Sequence, residues 1–206
     1  MSIATSTVEA PAPPASGVQP APSTAWVTLI AGAIGLLASV TLTVEKIRLL
    51  TDAAYVPSCN LNPVLSCGPV MATPQASVLG FPNPLMGIVA FTVVVVTGVL
   101  AVAKVPLPRW YWTALAVGTL AGAGFVHWLI FQSLYRIGAL CPYCMVVWAA
   151  TMLLLVAFAA LASQPGRIHK SLQLLQQWRW TLIALWFIGL FLLVFIRFQD
   201  YWLTLV

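Results

Sequence analysis

Five stretches of the chain are nearly free of charge and rich in Val, Leu, Ile, Ala and Phe: Trp26–Val44, Leu85–Ala103, Trp110–Tyr135, Tyr143–Ala162 and Trp180–Ile196. Each comes close to the ~20 residues needed to cross the hydrocarbon core of a bilayer. The pattern predicts an all-α integral membrane protein, with a four-helix transmembrane bundle and an added fifth transmembrane helix. Aromatic residues stand at the edges of these runs: Trp26, then Trp110, Tyr111 and Trp112, then Trp178 and Trp180, then Tyr201 and Trp202. That is where spanning helices carry their interfacial belt. In the third run Gly118 and Gly122 lie four apart, beside Ala121 and Gly124. Small residues at this spacing are expected to let helices approach closely in lipid.

Between the runs the chain turns polar and proline-rich. Residues 1–25 hold five prolines among Ala, Ser and Thr and a single charge, Glu9. Nothing there can form a core, so a disordered cytoplasmic tail is expected. No Lys or Arg precedes the first run, so it is not expected to act as a cleaved secretory signal. Residues 46–83 form the long loop, with Pro57, Pro63, Pro69 and Pro74 along it. Residues 166–206 comprise a second loop with Arg167, His169 and Lys170 (expected to be solvated), the fifth helix and a short tail.

Composition sharpens the membrane assignment. The 206 residues are 61% hydrophobic and 6% charged, with a mean hydropathy of +0.98. A soluble domain carries about a quarter charged residues. A net charge of +5 would point to nucleic acid in a soluble protein. Here the nine Lys and Arg are scattered at the ends of apolar runs, so nucleic-acid binding is excluded as a function. With the N-terminus inside, Lys104, Arg109, Arg167, Lys170 and Arg179 are cytoplasmic, and Lys46, Arg48, Arg136 and Arg197 are outside. This five-to-four division leans the right way without deciding the orientation. The cysteines weigh more, because the same orientation puts all four outside the cytoplasm, where disulfides persist.

The cysteines fall in two pairs, Cys59 with Cys67 in the long loop and Cys141 with Cys144 at the start of the fourth run. Residues three apart on a helix lie about 5–6 Å apart, within the about 4.4–6.8 Å that a disulfide spans. Pro142 suits a first helical turn, and a helix N-terminus favours the thiolate. Cys141-Pro-Tyr-Cys144 therefore has the form of a reactive dithiol. The other readings are half a zinc site, which lacks a nearby His or a second close pair, and an inert structural pair. Cys59 and Cys67 alone read as a structural staple; beside a helix-capping dithiol on the same face the balance shifts toward exchange. No dinucleotide fingerprint, haem motif or iron–sulfur set occurs. By elimination the electron acceptor is a carrier dissolved in the bilayer, a quinone.

The order of these features resembles the vitamin K epoxide reductase family: a loop pair, then Phe81-Pro-Asn-Pro-Leu-Met-Gly87 opening the second helix, then Cys-Pro-Tyr-Cys opening the fourth. The resemblance covers roughly residues 26–165, which it implies form the catalytic bundle, and is specific in the cysteine layout. It implies a bacterial, actinobacterial-type membrane thiol–disulfide oxidoreductase. Such an enzyme oxidises a thioredoxin-like (DsbA-like) partner and reduces menaquinone or ubiquinone. It further implies that Cys144 faces the quinone, that Cys141 exchanges with the loop, and that Cys59 and Cys67 carry electrons from the partner. Asn83 matches a quinone-binding asparagine, although Asn before Pro84 is also an ordinary N-cap. Met71 and Thr73 match pocket positions, and Trp148 stands where vertebrate members have a tyrosine whose hydroxyl contacts substrate, a departure that leaves epoxide reduction open. The chain ends at Val206 without the fused thioredoxin-like domain of some bacterial members, so the partner is expected to be a separate protein. DsbB-type enzymes place their close pair in the first outer loop, the reverse of the order here.

His127 lies within the third run. It is a candidate proton relay, with a hydrogen-bonded packing role as the alternative. Glu45 and Lys46 are expected only to mark the membrane interface. A non-catalytic assembly or transport subunit with two structural disulfides is the competing functional class.

Overall fold

The structure, a computed structural model, describes residues 17–52, 54–163 and 177–203. The helices are α1 (Pro22–Thr51), α2 (Cys67–Met71), α3 (Asn83–Val102), α4 (Arg109–Phe131), α5 (Pro142–Ala162), α6 (Arg179–Arg197) and α7 (Gln199–Leu203). Pro74–Ser77 forms a 3-10 turn, and Gln132–Ile137 continues α4 as a π-helix. Among the described residues, five helices are long and apolar enough to cross a membrane: α1, α3, α4 with its π extension, α5 and α6. The protein is a multi-pass, all-helical membrane protein, as the hydrophobic pattern predicts.

The α1 helix is the hub of the bundle. It packs against α3 on one side and α5 on the other, and α4 packs against α5. Its buried positions include Ala25, Ala31, Gly32, Gly35, Ala38 and Ser39. These small residues recur at helical spacing and let the backbones close up. A Cβ on Gly32 would lie 2.8 Å from the Val94 side chain, and one on Gly98 of α3 would lie 2.6 Å from Cα of Leu29. The small residues of α4 behave differently from expectation. A Cβ added to Gly118 or Gly124 would meet nothing within 4 Å, and one on Gly122 only the tip of Thr151 at 3.9 Å. The close seam is on α1 because the small residues there form an unbroken stripe. On α4 they leave room instead. α3 and α4 do not pack closely along their length, and one end of the crevice between them is tied by the Thr97 and Tyr111 hydroxyls at 2.6 Å.

Several boundaries depart from the hydrophobic runs. Residues 17–25, expected within a disordered tail, are ordered. Val18 donates its N–H to the Leu107 carbonyl at 2.8 Å, and Pro22 opens α1 with the fixed φ that suits a first turn. Trp112, expected in the interfacial belt, is fully buried. It packs beside Phe158 and donates its indole N–H to the Val18 carbonyl at 3.3 Å. Trp26, Trp110, Trp178 and Trp180 are exposed, as a belt requires. Residues 1–16 and the polar loop with Arg167, His169 and Lys170 lie outside the described residues. The first helix runs past Val44 to Thr51 because Glu45, Lys46, Arg48, Leu49 and Leu50 are good helix formers, so the long loop begins at Asp52 rather than at residue 46.

The α6 helix sits on the outside of the bundle and buries only Ile183 along its described length. His127 attaches it. The ring Nε2 accepts from Trp186 Nε1 at 2.9 Å, and Nδ1 donates to the Ala123 carbonyl at 2.7 Å. Both ring nitrogens are engaged, which is the packing alternative for this residue. Arg197 adds a second tie, donating from Nε to the Leu134 carbonyl at 3.0 Å.

The two kinds of glycine predict opposite responses. Gly98→Leu is expected to destabilise the bundle by about 1–3 kcal/mol, because it forces α1 and α3 apart. Gly118→Ala should leave stability unchanged. Thermal unfolding of both variants in detergent micelles measures the contrast, and equal melting temperatures would refute it.

Candidate functional site

The cysteines are brought together by the loops at one end of the bundle. The π-helix at the end of α4 closes at Gly138, whose φ of 73° is a left-handed conformation that glycine adopts without a Cβ penalty. The chain then extends, and Leu140 pairs in parallel with Leu65 of the long loop. Leu140 N–H donates to the Val64 carbonyl at 2.7 Å, and Ser66 N–H donates to the Leu140 carbonyl at 2.9 Å. This two-bond bridge leads directly into Cys141 on one strand and, one residue past Ser66, Cys67 on the other.

Two asparagines shape the loop so that it can pair. Asn62 Oδ1 accepts from the N–H groups of Val64 and Leu65 at 2.9 and 2.7 Å. Asn60 Oδ1 accepts from the Ser66 hydroxyl and from Gly68 N–H, each at 2.9 Å. On the other side of Cys59, the Glu45 carboxylate accepts from the Tyr55 and Ser58 hydroxyls. Glu45 is therefore a buried anchor for the loop rather than an interface marker. Asparagines of this kind are legible as turn formers in the sequence, but which N–H they satisfy is not.

Within this frame Cys59 and Cys67 form a disulfide with a Cα separation of 5.6 Å, while Cys141 and Cys144 are free thiols. Cys141 Sγ lies 3.2 Å from Cys67 Sγ. Cys67 and Cys141 are completely buried and Cys59 nearly so, so the loop pair is held inside a hydrogen-bonded frame rather than free in solvent. Cys141 is the N-cap of α5, Pro142 follows in its first turn, and the Cys141 sulfur accepts from Cys144 N–H at 3.3 Å. The Cys141 thiol is held below the usual cysteine range, chiefly by a hydrogen bond from the Cys144 thiol. The N–H groups of Cys144 and Tyr143 add to this, and burial opposes it.

Cys144 faces the other way. It borders a cavity of about 660 Å³ between α3, α4, α5 and the C-terminal part of α1, within the size range of small-molecule sites. Of the four cysteines only Cys144 lines it. Asn83, Trp148, Met71 and Thr73, marked by the family resemblance, all border the same cavity, as do Gly118 and Gly122 of α4. Asn83 does not cap α3, which starts with Pro82 at the N-cap and no side-chain cap. Its Oδ1 accepts instead from Val78 N–H at 3.0 Å, and its Nδ2 donates to the Gln75 carbonyl at 2.7 Å. That spans the 3-10 turn and leaves a second Nδ2 hydrogen for another acceptor. Trp148 is buried among Val126, Ile130 and Leu134. Met71 sits against the sulfur cluster, and the Thr73 hydroxyl turns back to the Val70 carbonyl at 2.8 Å. Lys46, assigned to the interface from sequence, lines this cavity as well.

The sequence profile of the vitamin K epoxide reductase family matches residues 26–160, which contain both cysteine pairs and the cavity. The chain belongs to the vitamin K epoxide reductase family. Enzymes of this family are quinone-linked membrane thiol–disulfide oxidoreductases, and membership places the chain among them rather than among non-catalytic assembly or transport subunits. No individual curated protein matches the chain.

The low-lying Cys141 thiol carries a pH prediction. Only the thiolate attacks a disulfide, so a depressed value keeps exchange with Cys67 running at lower pH. Cys144→Ala removes the main donor to Cys141. The pH at which the Cys67–Cys141 bond forms half-maximally should therefore rise. Acid quenching and peptide mapping across pH measure it, and an unmoved midpoint would count against this account of the Cys141 thiol.

Proposed function

We propose that the protein oxidises the thiols of a separate thioredoxin-like (DsbA-like) partner outside the cytoplasm and passes the electrons to menaquinone or ubiquinone in a bacterial cell membrane. The observation that carries the reading is the line of four sulfurs. A loop disulfide lies in contact with Cys141, and Cys144 of the same dithiol borders an apolar cavity.

The steps follow from that order. A partner thiolate attacks Cys59, the loop sulfur on the side away from Cys141, and releases Cys67 as thiolate. The partner's second thiol then resolves the mixed disulfide, leaving the partner oxidised and Cys59 and Cys67 reduced. When Cys141 and Cys144 are disulfide-bonded, the Cys67 thiolate attacks Cys141 and frees Cys144. Cys59 then attacks Cys67, closing the loop disulfide and freeing Cys141. The structure has this product arrangement, with the loop pair bonded and the inner pair as thiols. Cys144 and Cys141 then give two electrons to the quinone and become a disulfide again, while two protons reach the ring oxygens. Bound at the cavity, a quinone serves as a two-electron, two-proton acceptor. The residues there suit a flat apolar ring: Trp148 and Met71 supply apolar surface, and Asn83 offers its remaining N–H to a ring oxygen. The crevice between α3 and α4 gives room for an apolar tail.

Orientation rests on the chemistry of the sulfurs. A loop disulfide persists outside the cytoplasm, which puts the N-terminus inside. Val56 and Leu61, on either side of Cys59, are strongly exposed and offer the partner an apolar rim.

Two outcomes are expected. Purified protein given a reduced thioredoxin-like dithiol protein under anaerobic conditions reduces ubiquinone or menaquinone, and Cys144→Ser abolishes the turnover. Wild-type protein inert toward both quinones would sink the proposal. A partner variant lacking its resolving cysteine is trapped on Cys59, as read by peptide mapping of the mixed disulfide. Trapping on Cys67 instead would reverse the assigned order.

A further inference from the structure

Among the described residues that line the cavity, Lys46 is the one that carries a charge. It projects from α1 on the same face as Leu42 and Ser39, four and seven residues earlier, which also border the cavity. Lys46 is 8% exposed, and its Nζ donates to the Met71 carbonyl at 2.6 Å. An ammonium has three donors, and this contact uses one. No described Asp or Glu borders the cavity with it. The neighbouring carboxylate, Glu45, is turned to Tyr55 and Ser58. A cation beside an apolar membrane cavity without a carboxylate is costly, and a single backbone carbonyl is a weak partner for it. Its placement makes sense when something in the cavity becomes negative.

Quinone reduction is such an event, because the electrons from the dithiol appear as negative charge on the ring oxygens. We infer that Lys46 is a catalytic residue of the quinone step, its ammonium hydrogen-bonding one ring oxygen, stabilising the charge that develops there and supplying a proton to it. This role rests on the quinone reading above and deepens it. The step balances with the groups present. The Cys141 thiolate and the Cys144 thiol give up two electrons in forming their disulfide. The Cys144 proton and one Lys46 proton go to the two ring oxygens, leaving a neutral hydroquinone and a neutral amine, and water at the loop end returns a proton to Lys46. The bond to Met71 fixes the direction of the ammonium. Met71 ends the short helix that Cys67 begins, so the same contact sets Lys46 in register with the sulfur relay.

The test uses the full chain in lipid nanodiscs, as wild type, Lys46→Met, Lys46→Gln and Lys46→Arg. Each is mixed anaerobically with an excess of reduced thioredoxin-like dithiol protein, as the continuing electron donor, and with ubiquinone-1 or menaquinone-1. Quinone absorbance gives kcat and KM. Exchange between the loop and the inner pair is followed separately, without quinone, by acid quench and thiol alkylation. Lys46→Met is expected to lower kcat at saturating quinone by about a hundredfold, the size seen when one charge-stabilising donor is removed. Exchange should continue at the wild-type rate, and Lys46→Arg, which keeps the charge, should recover most of kcat. Lys46→Gln keeps a donor for Met71 without the charge. It is expected to fold and exchange normally while failing in kcat, so the proposal remains testable where Lys46→Met does not accumulate. Wild-type kcat in Lys46→Gln would overturn the role. An equal loss of quinone reduction and exchange would also overturn it, by showing that Lys46 only holds Met71. Inert wild-type protein would overturn the quinone reading itself and this role with it, whereas active wild type with an active Lys46→Gln overturns the role alone.

Discussion

The parallel pairing of Leu65 with Leu140 ties together segments 75 residues apart in sequence by two backbone hydrogen bonds. Each such bond contributes only about 1 kcal/mol net, yet the geometry of the sulfur cluster follows from them. Without the bridge, Cys67 and Cys141 would sit on separate flexible connections, and their encounter would have to be won from loop entropy. With it, the two sulfurs stand in contact. The asparagines at 60 and 62 preshape one strand of the bridge. The π-turn and Gly138 deliver the other, and Arg197 of α6 steadies the turn through the Leu134 carbonyl.

Below the bridge, the bundle divides packing from vacancy. Small residues on α1 allow a tight seam with α3, close enough that a Cβ at Gly98 would run into the backbone of Leu29. Small residues on α4 face space, and the crevice between α3 and α4 widens into the cavity. Lipid-exposed helices gain little from hydrophobic burial against one another. The tight α1 seam is therefore what permits the opposite side of the bundle to stay loosely packed without the helices separating.

The five spans and both cysteine pairs were legible in the sequence because their signals are local: uninterrupted apolar runs, and Cys-Pro-Tyr-Cys at a helix start. Misread features depend on what lies across the gap. Gly118 and Gly122 have the spacing of a helix-packing motif, but spacing does not reveal whether a partner helix is present. Trp112 looks like a belt residue until Val18 is found folded back beside it. Lys46 looked like an interface charge because the apolar run seems to end at Val44, whereas the helix continues for another two turns and carries it inward. Asn83 has the form of an N-cap, and only the three-dimensional course of the 74–78 turn shows that its side chain is spent elsewhere. The roles of individual residues in the cavity were carried by family resemblance, since an almost wholly apolar wall offers sequence reasoning few polar markers.

That only one of the four sulfurs reaches the cavity would make the proposed relay an electrical insulator as well as a conductor. Cys67 and Cys141 have no exposed surface and Cys59 almost none, and none of the three borders the cavity. A lipid-soluble molecule in the cavity therefore meets Cys144 and not the loop disulfide. On the proposed relay, current passes only in the order the sulfurs are strung, so the thiol that is oxidised would be decided at the protein surface and not by whatever reductant is most abundant.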